Sequence, residues 1–214
     1  MLNEFWELLN DVEDKINFGY REEHQTPKLE EGSNSSECRE CPLYLVRNSI
    51  VHGSGSDNPK LMIIGTWPTD EDEDNGLPLS GDCEAFLNKW ISAMKLSPVA
   101  DCYITNLLKC KTGWNKRGFQ GRHDHSDEIK ICFSHMEEEI HRLKPRVILT
   151  LGEKPAQIFT DSSKELEQLR GHVHLYKGIP VINTYHPEIA LENYDVLRAP
   201  VWEDLKLVIS RLNG

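Results

Sequence analysis

Four short apolar runs, spaced by helix-like stretches, constrain this chain more than any other feature. They are Leu61-Met-Ile-Ile-Gly65, Tyr-Ile-Thr-Asn-Leu-Leu at 103–108, Arg-Val-Ile-Leu-Thr-Leu-Gly at 146–152 and Ile-Pro-Val-Ile-Asn-Thr at 179–184. Runs this short and this continuously apolar read as strands buried on both faces. Residues 83–94, 126–143, 155–160 and 201–212 carry apolar side chains at helical spacing and supply the cover. Strands separated by helices imply an α/β fold on a mostly parallel sheet, with functional groups where loops leave the strands' carboxyl ends. Upstream, Leu2, Phe5, Trp6, Leu9, Val12 and Ile16 recur at helical spacing, and residues 22–37 are polar. Residues 1–36 are therefore expected to form a helix and linker packed on a single globular unit, 37–214.

A length of 214 residues with 38% hydrophobic content is enough for one buried core and argues against wholesale disorder. No apolar run is long enough to cross a bilayer, and the acidic start does not resemble a leader. The expectation is a cytoplasmic chain with no membrane partner, acting as a monomer. In that setting six cysteines favour metal ligation or buried thiols over disulfides. The net charge of −11 argues against nucleic-acid binding by the surface as a whole. Phosphate contacts are local, however. Between residues 109 and 122 the chain carries Lys109, Lys111, Lys116, Arg117 and Arg122 with no acid, interleaved with Trp114 and Phe119. That composition suits a loop tracking a DNA strand; the plainer alternative is a solvated loop.

Cys38 and Cys41 form a C-x-x-C pair, and Cys110 and Cys132 stand far downstream. Four thiolates from remote segments can complete a four-sulfur site for zinc or an iron–sulfur cluster. The strand tips carry the remaining chemistry. After the first strand come Gly65, Thr66, Trp67, Pro68 and Thr69, then the acids from Asp70 to Asp74. The second strand reaches Asn106, followed by Lys109 and Cys110; the fourth leads into Tyr185, His186 and Pro187. An Asn amide matches a pyrimidine edge, and a His stabilises charge developing on a base oxygen. Taken singly, Asn106 reads as a turn residue and His186 as a cap. Their shared sheet edge favours the functional reading.

With these motifs in order the chain resembles the family 4 uracil-DNA glycosylases. The segments that carry the resemblance begin with Cys38-Arg-Glu-Cys41-Pro-Leu-Tyr44, Val51-His-Gly-Ser-Gly55, Lys60-Leu-Met-Ile-Ile-Gly65 and Gly76-Leu-Pro-Leu-Ser-Gly81. They continue with Tyr103-Ile-Thr-Asn106-Leu-Leu-Lys109-Cys110, Glu128 to Cys132, Thr150-Leu-Gly152 and Leu169-Arg-Gly171, and end with Thr184-Tyr-His186-Pro187 and Val201-Trp-Glu-Asp-Leu-Lys206. The resemblance implies a three-layer α/β/α sandwich with a central four-stranded sheet. It implies a structural [4Fe-4S] cluster on Cys38, Cys41, Cys110 and Cys132, zinc being the alternative. Cys83 and Cys102 fall outside that pattern as buried thiols. It implies hydrolysis of the N-glycosidic bond of a pyrimidine flipped from single- or double-stranded DNA. Asn106 would read the base and His186 would bond its O2. Gly65, Thr66, Trp67, Thr69 and Leu79 would line the pocket. Lys109, Lys116, Arg117, Arg122 and Pro187 would face DNA, with Ile189 and Leu191 wedged into the gap or, alternatively, packed in the core.

Three departures bear on substrate. Where the family has Gly-Glu-Ala-Pro-Gly this chain has Gly65-Thr66-Trp67-Pro68-Thr69, so the water-activating glutamate is missing, and threonine is no base near neutral pH. Asp72 or Glu73 would substitute, against a background of a solvated acidic loop. Leu79 replaces the aromatic that stacks on uracil, with Trp67 as a replacement ring or a pocket filler. Glu188 stands where a small hydroxyl residue is common. His123 and His125 lie in an inserted stretch without the signature of the branch that traps the sugar covalently. The reading is a glycosylase for uracil or a related pyrimidine. The alternatives are a modified-base glycosylase in phage defence and a catalytically weak DNA-binding module that kept the fold.

Overall fold

A computed structural model describes residues 38–112 and 125–214. The expected N-terminal helix and linker, and Trp114, Lys116, Arg117, Phe119, Arg122 and His123, lie outside the described residues. All four expected strands form: β2 (Leu61–Gly65), β3 (Cys102–Asn106), β4 (Val147–Leu151) and β6 (Ile179–Thr184). They make the parallel centre of a six-stranded sheet, ordered β1-β3-β2-β4-β6-β5. Two short antiparallel edges extend it, β1 (Ser54–Gly55) on β3 and β5 (Val173–Tyr176) on β6. Both edges, two and four residues long, are too short to announce themselves by hydrophobic alternation.

Every residue of β2 and β4 is buried, as strands covered on both faces must be. Leu61, Ile63, Leu149 and Ile182 turn to one side, against Leu87 and Trp90 of α2 (Asp82–Ala93) and Leu205 and Val208 of α7 (Tyr194–Asn213). Met62, Ile64, Ile148 and Val181 turn to the other. There they meet Met136 and Ile140 of α3 (Ser126–Leu143) and Phe159 of α4 (Glu153–Thr160). Three shorter α-helices, α1 (Asp70–Asn75), α5 (Leu166–Leu169) and α6 (Pro187–Glu192), and one 3-10 turn at Pro42–Leu45 complete the described chain. In the parallel register Gly65 stands opposite Asn106. That pairing brings the tips of β2 and β3 together.

Candidate active site

Asn106 is 1% exposed at the end of β3, and neither its Oδ1 nor its Nδ2 has a hydrogen-bond partner. An unsatisfied buried polar group costs about 1–3 kcal/mol, so a fold that keeps one needs a reason. The strand opposite makes room for it. A Cβ at Gly65 would collide with Asn106 Oδ1 and lie 3.2 Å from Leu79 Cδ2. Leu79 is buried with φ at 55°, in the left-handed region that branched side chains enter only under strain. Asn106, Gly65 and Leu79 therefore meet at one strained point on the α2 side of the sheet.

The acidic run after β2 is ordered. Thr69 caps α1, its hydroxyl accepting from the Asp72 N–H at 3.2 Å, while Asp72 Oδ2 accepts from the Thr69 N–H at 2.9 Å. Asp70 to Glu73 fill the first turn, where the helix dipole favours acids. Asp72 Oδ1 also accepts from the Ser80 N–H at 2.6 Å and hydroxyl at 2.7 Å. Glu73 clamps Asn48, accepting from its N–H at 3.1 Å and side-chain amide at 2.9 Å. Both expected bases are buried and largely committed to local donors. The solvated-loop alternative gives way to a short capped helix, and the Thr69 hydroxyl is occupied as its cap. Trp67 packs on the α3 side with Leu107, Leu108 and Ile129, its ring edge-on to His125 at 5.5 Å. Leu79 belongs to the core on the opposite side, so Trp67 does not replace the missing ring there.

His186 ends the loop after β6 and is the N-cap of α6; its Nδ1 accepts from the Glu188 N–H at 3.4 Å. Burial lowers its pKa, against the opposing pull of the Glu188 and Asp72 carboxylates. Asp72 and His186 thus feel each other across the strand tips. Pro187 occupies the first turn of α6 and is buried, so it offers little surface to a DNA strand. Ile189 and Leu191 are each 45% exposed, which excludes the core-packing alternative. Behind the loop, Arg170 lies 5.3 Å over the Tyr185 ring and donates to the buried Asp204 at 3.0 Å.

Lys109 requires a correction. Its ammonium is buried, donating to Glu139 at 2.7 Å, to the Asn106 carbonyl at 3.0 Å and to the Thr105 hydroxyl. It braces the backbone of Asn106 and presents no charge to DNA. Lys111 pairs with Asp70.

The six cysteines, all among the described residues, fall in different environments. Cys41, Cys110 and Cys132 are buried in one apolar cluster, with Cys38 half-buried. Burial raises the Cys41, Cys110 and Cys132 thiols, and neighbouring thiols add to it: Cys38 acts on Cys41, Cys41 and Cys38 on Cys110, Cys110 and Cys41 on Cys132. Cys83 lies elsewhere, pushed to about 11 by burial with Glu188 and Asp72 nearby, and Cys102 sits in the sheet at about 12. Sequence reasoning missed Arg47, which donates to Cys110 Sγ at 3.2 Å and to the Cys38 carbonyl at 2.7 Å. It also missed Ser80 and Asn48. The Thr-x-x-Asp pattern at 69–72 is a readable capping signal; nothing local marks Arg47, Ser80 or Asn48.

The sequence pattern of the uracil DNA glycosylase superfamily matches residues 52–206. A type-4 uracil-DNA glycosylase of Saccharolobus solfataricus is 30% identical over 186 residues, 83% of this chain and 82% of the relative. One from Sulfurisphaera tokodaii is 28% identical over 179 residues, covering 80% and 78%. One from Thermotoga maritima is 29% identical over 172 residues, covering 79% and 86%.

Proposed function

The chain belongs to the uracil DNA glycosylase superfamily, and from that membership we propose that it hydrolyses the N-glycosidic bond of uracil, or of a closely related pyrimidine, flipped out of DNA. The observation that carries this reading is the buried Asn106 carboxamide, with donor and acceptor both unspent at a strand tip. Uracil offers a carbonyl beside an N–H on one edge, the complement of such an amide.

His186 supplies the second interaction. Because Nδ1 accepts from the Glu188 N–H, the neutral ring carries its proton on Nε2, which donates to O2 as charge builds on the departing base. The lowered pKa keeps the ring neutral near pH 7. Asp72 acts mainly as a fixed charge: three donors occupy its carboxylate, leaving about one of four lone-pair sites for water. A negative charge there stabilises a sugar that becomes oxocarbenium-like as the bond breaks. With no free carboxylate beside the pocket tip among the described residues, most of the catalysis falls to leaving-group stabilisation. Glu73 holds Asn48 in place. Ile189 and Leu191 fill the gap in the stack, and Lys116, Arg117 and Arg122 neutralise phosphates.

The four thiols suit a [4Fe-4S] cluster: the donor set is all sulfur, largely buried, and supported by the Arg47 guanidinium. When bound, the cluster ties its ligand segments together; four thiolates leave no open position for substrate. Leu79, in place of an aromatic, favours a second substrate for the same reaction, a pyrimidine substituted at C5. Losing the stacked ring forfeits roughly 1–3 kcal/mol with unmodified uracil.

The test is base release from single- and double-stranded oligonucleotides carrying uracil or a C5-substituted pyrimidine, read as alkali-labile sites. Asn106→Ala and His186→Ala are each expected to slow release by about 100-fold or more while leaving iron content intact. Unaltered release by both variants would overturn the assignment.

A further inference from the structure

The sheet stops guiding the chain two residues short of His186. The last rung between β4 and β6 pairs Leu151 with Thr184, and the Gly152 N–H donates to the Thr184 carbonyl at 2.8 Å. Pairing with β5 ends earlier still, at Ile182. Tyr185 and His186 lie beyond the ladder, so contacts outside it set their direction. Three consecutive residues where α5 gives way to β5 supply such contacts. The Leu169 carbonyl accepts from the Asn183 amide at 3.1 Å, and His174 Nε2 stands 2.8 Å from the same oxygen. The Gly171 N–H donates to Asp204 Oδ1 at 3.0 Å. Between them, Arg170 engages α7 at successive turns. Its Nε and Nη2 both lie 3.0 Å from Asp204 Oδ2, and Nη2 also donates to the Pro200 carbonyl.

Asp204 is wholly buried, where a carboxylate without its partner would be costly, so the pair is committed to this geometry. A planar guanidinium bonded at two turns of one helix keeps a single orientation. In that orientation its carbon lies 5.3 Å over the Tyr185 ring. The same ring packs against Ala156, Leu166 and Leu169, which holds it immediately before His186. We propose that Arg170 is a positioning residue for His186: locked by Asp204 and Pro200, it holds the Tyr185 ring and so sets where the imidazole stands. This role rests on the reading of His186 as the donor to the base O2. Arg170 touches no reacting atom and acts through Tyr185.

The test compares Arg170→Lys, Tyr185→Leu and Tyr185→Phe in the full-length protein by kcat and KM for uracil release from single-stranded oligonucleotides. Beside activity, the imidazole nitrogen NMR shifts of His186, identified by their loss in His186→Gln, report which ring nitrogen carries the proton. Lysine keeps the charge without the planar fork, and leucine removes the ring. Both are expected to lower kcat roughly 10–100-fold with KM within about twofold, and to mix the two tautomers. Phenylalanine keeps the ring and loses only a hydroxyl that faces Glu167, so its rate and spectrum are expected to match wild type. Wild-type kcat and tautomer in both Arg170→Lys and Tyr185→Leu would overturn the proposal, as would an equal loss in Tyr185→Phe. Asp204→Ala does not decide it, because breaking a buried pair lowers stability whatever its role. Wild type that releases no uracil would count against the glycosylase reading alone. The tautomers would still decide whether Arg170 positions His186.

Discussion

At the scale of single residues, Asn106 is held in a state that folding alone would not select, whereas His186 also serves the fold as the cap of α6. Removing an amide that bonds nothing should relieve its desolvation, so Asn106→Ala is expected to raise stability by about 1 kcal/mol while abolishing base release. Thermal melts decide this; a clear fall in melting temperature would mean the amide is already satisfied in the folded protein. For His186 the sign follows from burial. Its folded pKa lies below the ordinary 6.5, so the native state binds fewer protons than the unfolded chain as pH falls through that value. Its contribution to stability is complete above about pH 6.5 and is lost progressively below it. Base release should hold level from neutral pH upward and decline on acidification with an apparent pKa below 6.5, since an imidazolium cannot keep Nδ1 as an acceptor. A profile centred above 6.5 would point to a different titrating group. Both residues were legible in the sequence as polar tips on apolar runs. What the sequence hid was how fully their neighbours are engaged, because hydrogen bonding between distant segments leaves no periodic trace.

At the scale of elements, α1 and the brace on β3 hold the site's shape. Thr69→Ala removes one half of the capping box and should cost about 1 kcal/mol, with base release little changed. Asp72→Asn does more. Its new amide would face the Thr69 N–H, orphaning a donor and removing the charge near His186. A loss of about 2–3 kcal/mol and a large drop in base release are expected. Equal effects of the two variants on activity would assign Asp72 to capping alone. Lys109→Ala should cost about 3–5 kcal/mol, because it strands the Glu139 carboxylate beside Thr105. The sequence made α3 and β6 plain through their length and apolar pattern. It misread α1 as a loop because six residues, nearly all acidic, show no apolar face; only their caps reveal them. The short α6 escaped because six residues are too few to show a helical period, although His186 before Pro187 is a start signal. Lys109 misled because a lysine beside a basic stretch looks solvated until Glu139, thirty positions away, is brought to it.

For the whole molecule, the sheet separates two cores that depend on different things. The α2 and α7 side is built from aliphatic and aromatic packing, with Leu61, Leu87, Trp90, Leu205 and Val208 almost wholly buried. The α3 side includes three of the four thiols proposed to hold the cluster in its own packing, alongside Leu43, Leu107 and Ile129. The parallel order of β2, β3, β4 and β6 followed from the alternation of apolar runs and helices. The division of labour between the two faces did not, because it turns on which way alternate strand residues point. Metal bound only by the folded state adds its binding energy to folding, and that energy should act where its ligands sit. Stripping iron with a chelator under anaerobic conditions is therefore expected to lower amide protection in the turn at Pro42–Leu45 and along α3, leaving α7 and β6 near their holoprotein values. Hydrogen exchange read by mass spectrometry makes the comparison. A uniform loss over both faces would mean that the sheet transmits the thiol site's stability to the entire fold. No loss at all would mean that the α3 core closes on its apolar contacts alone.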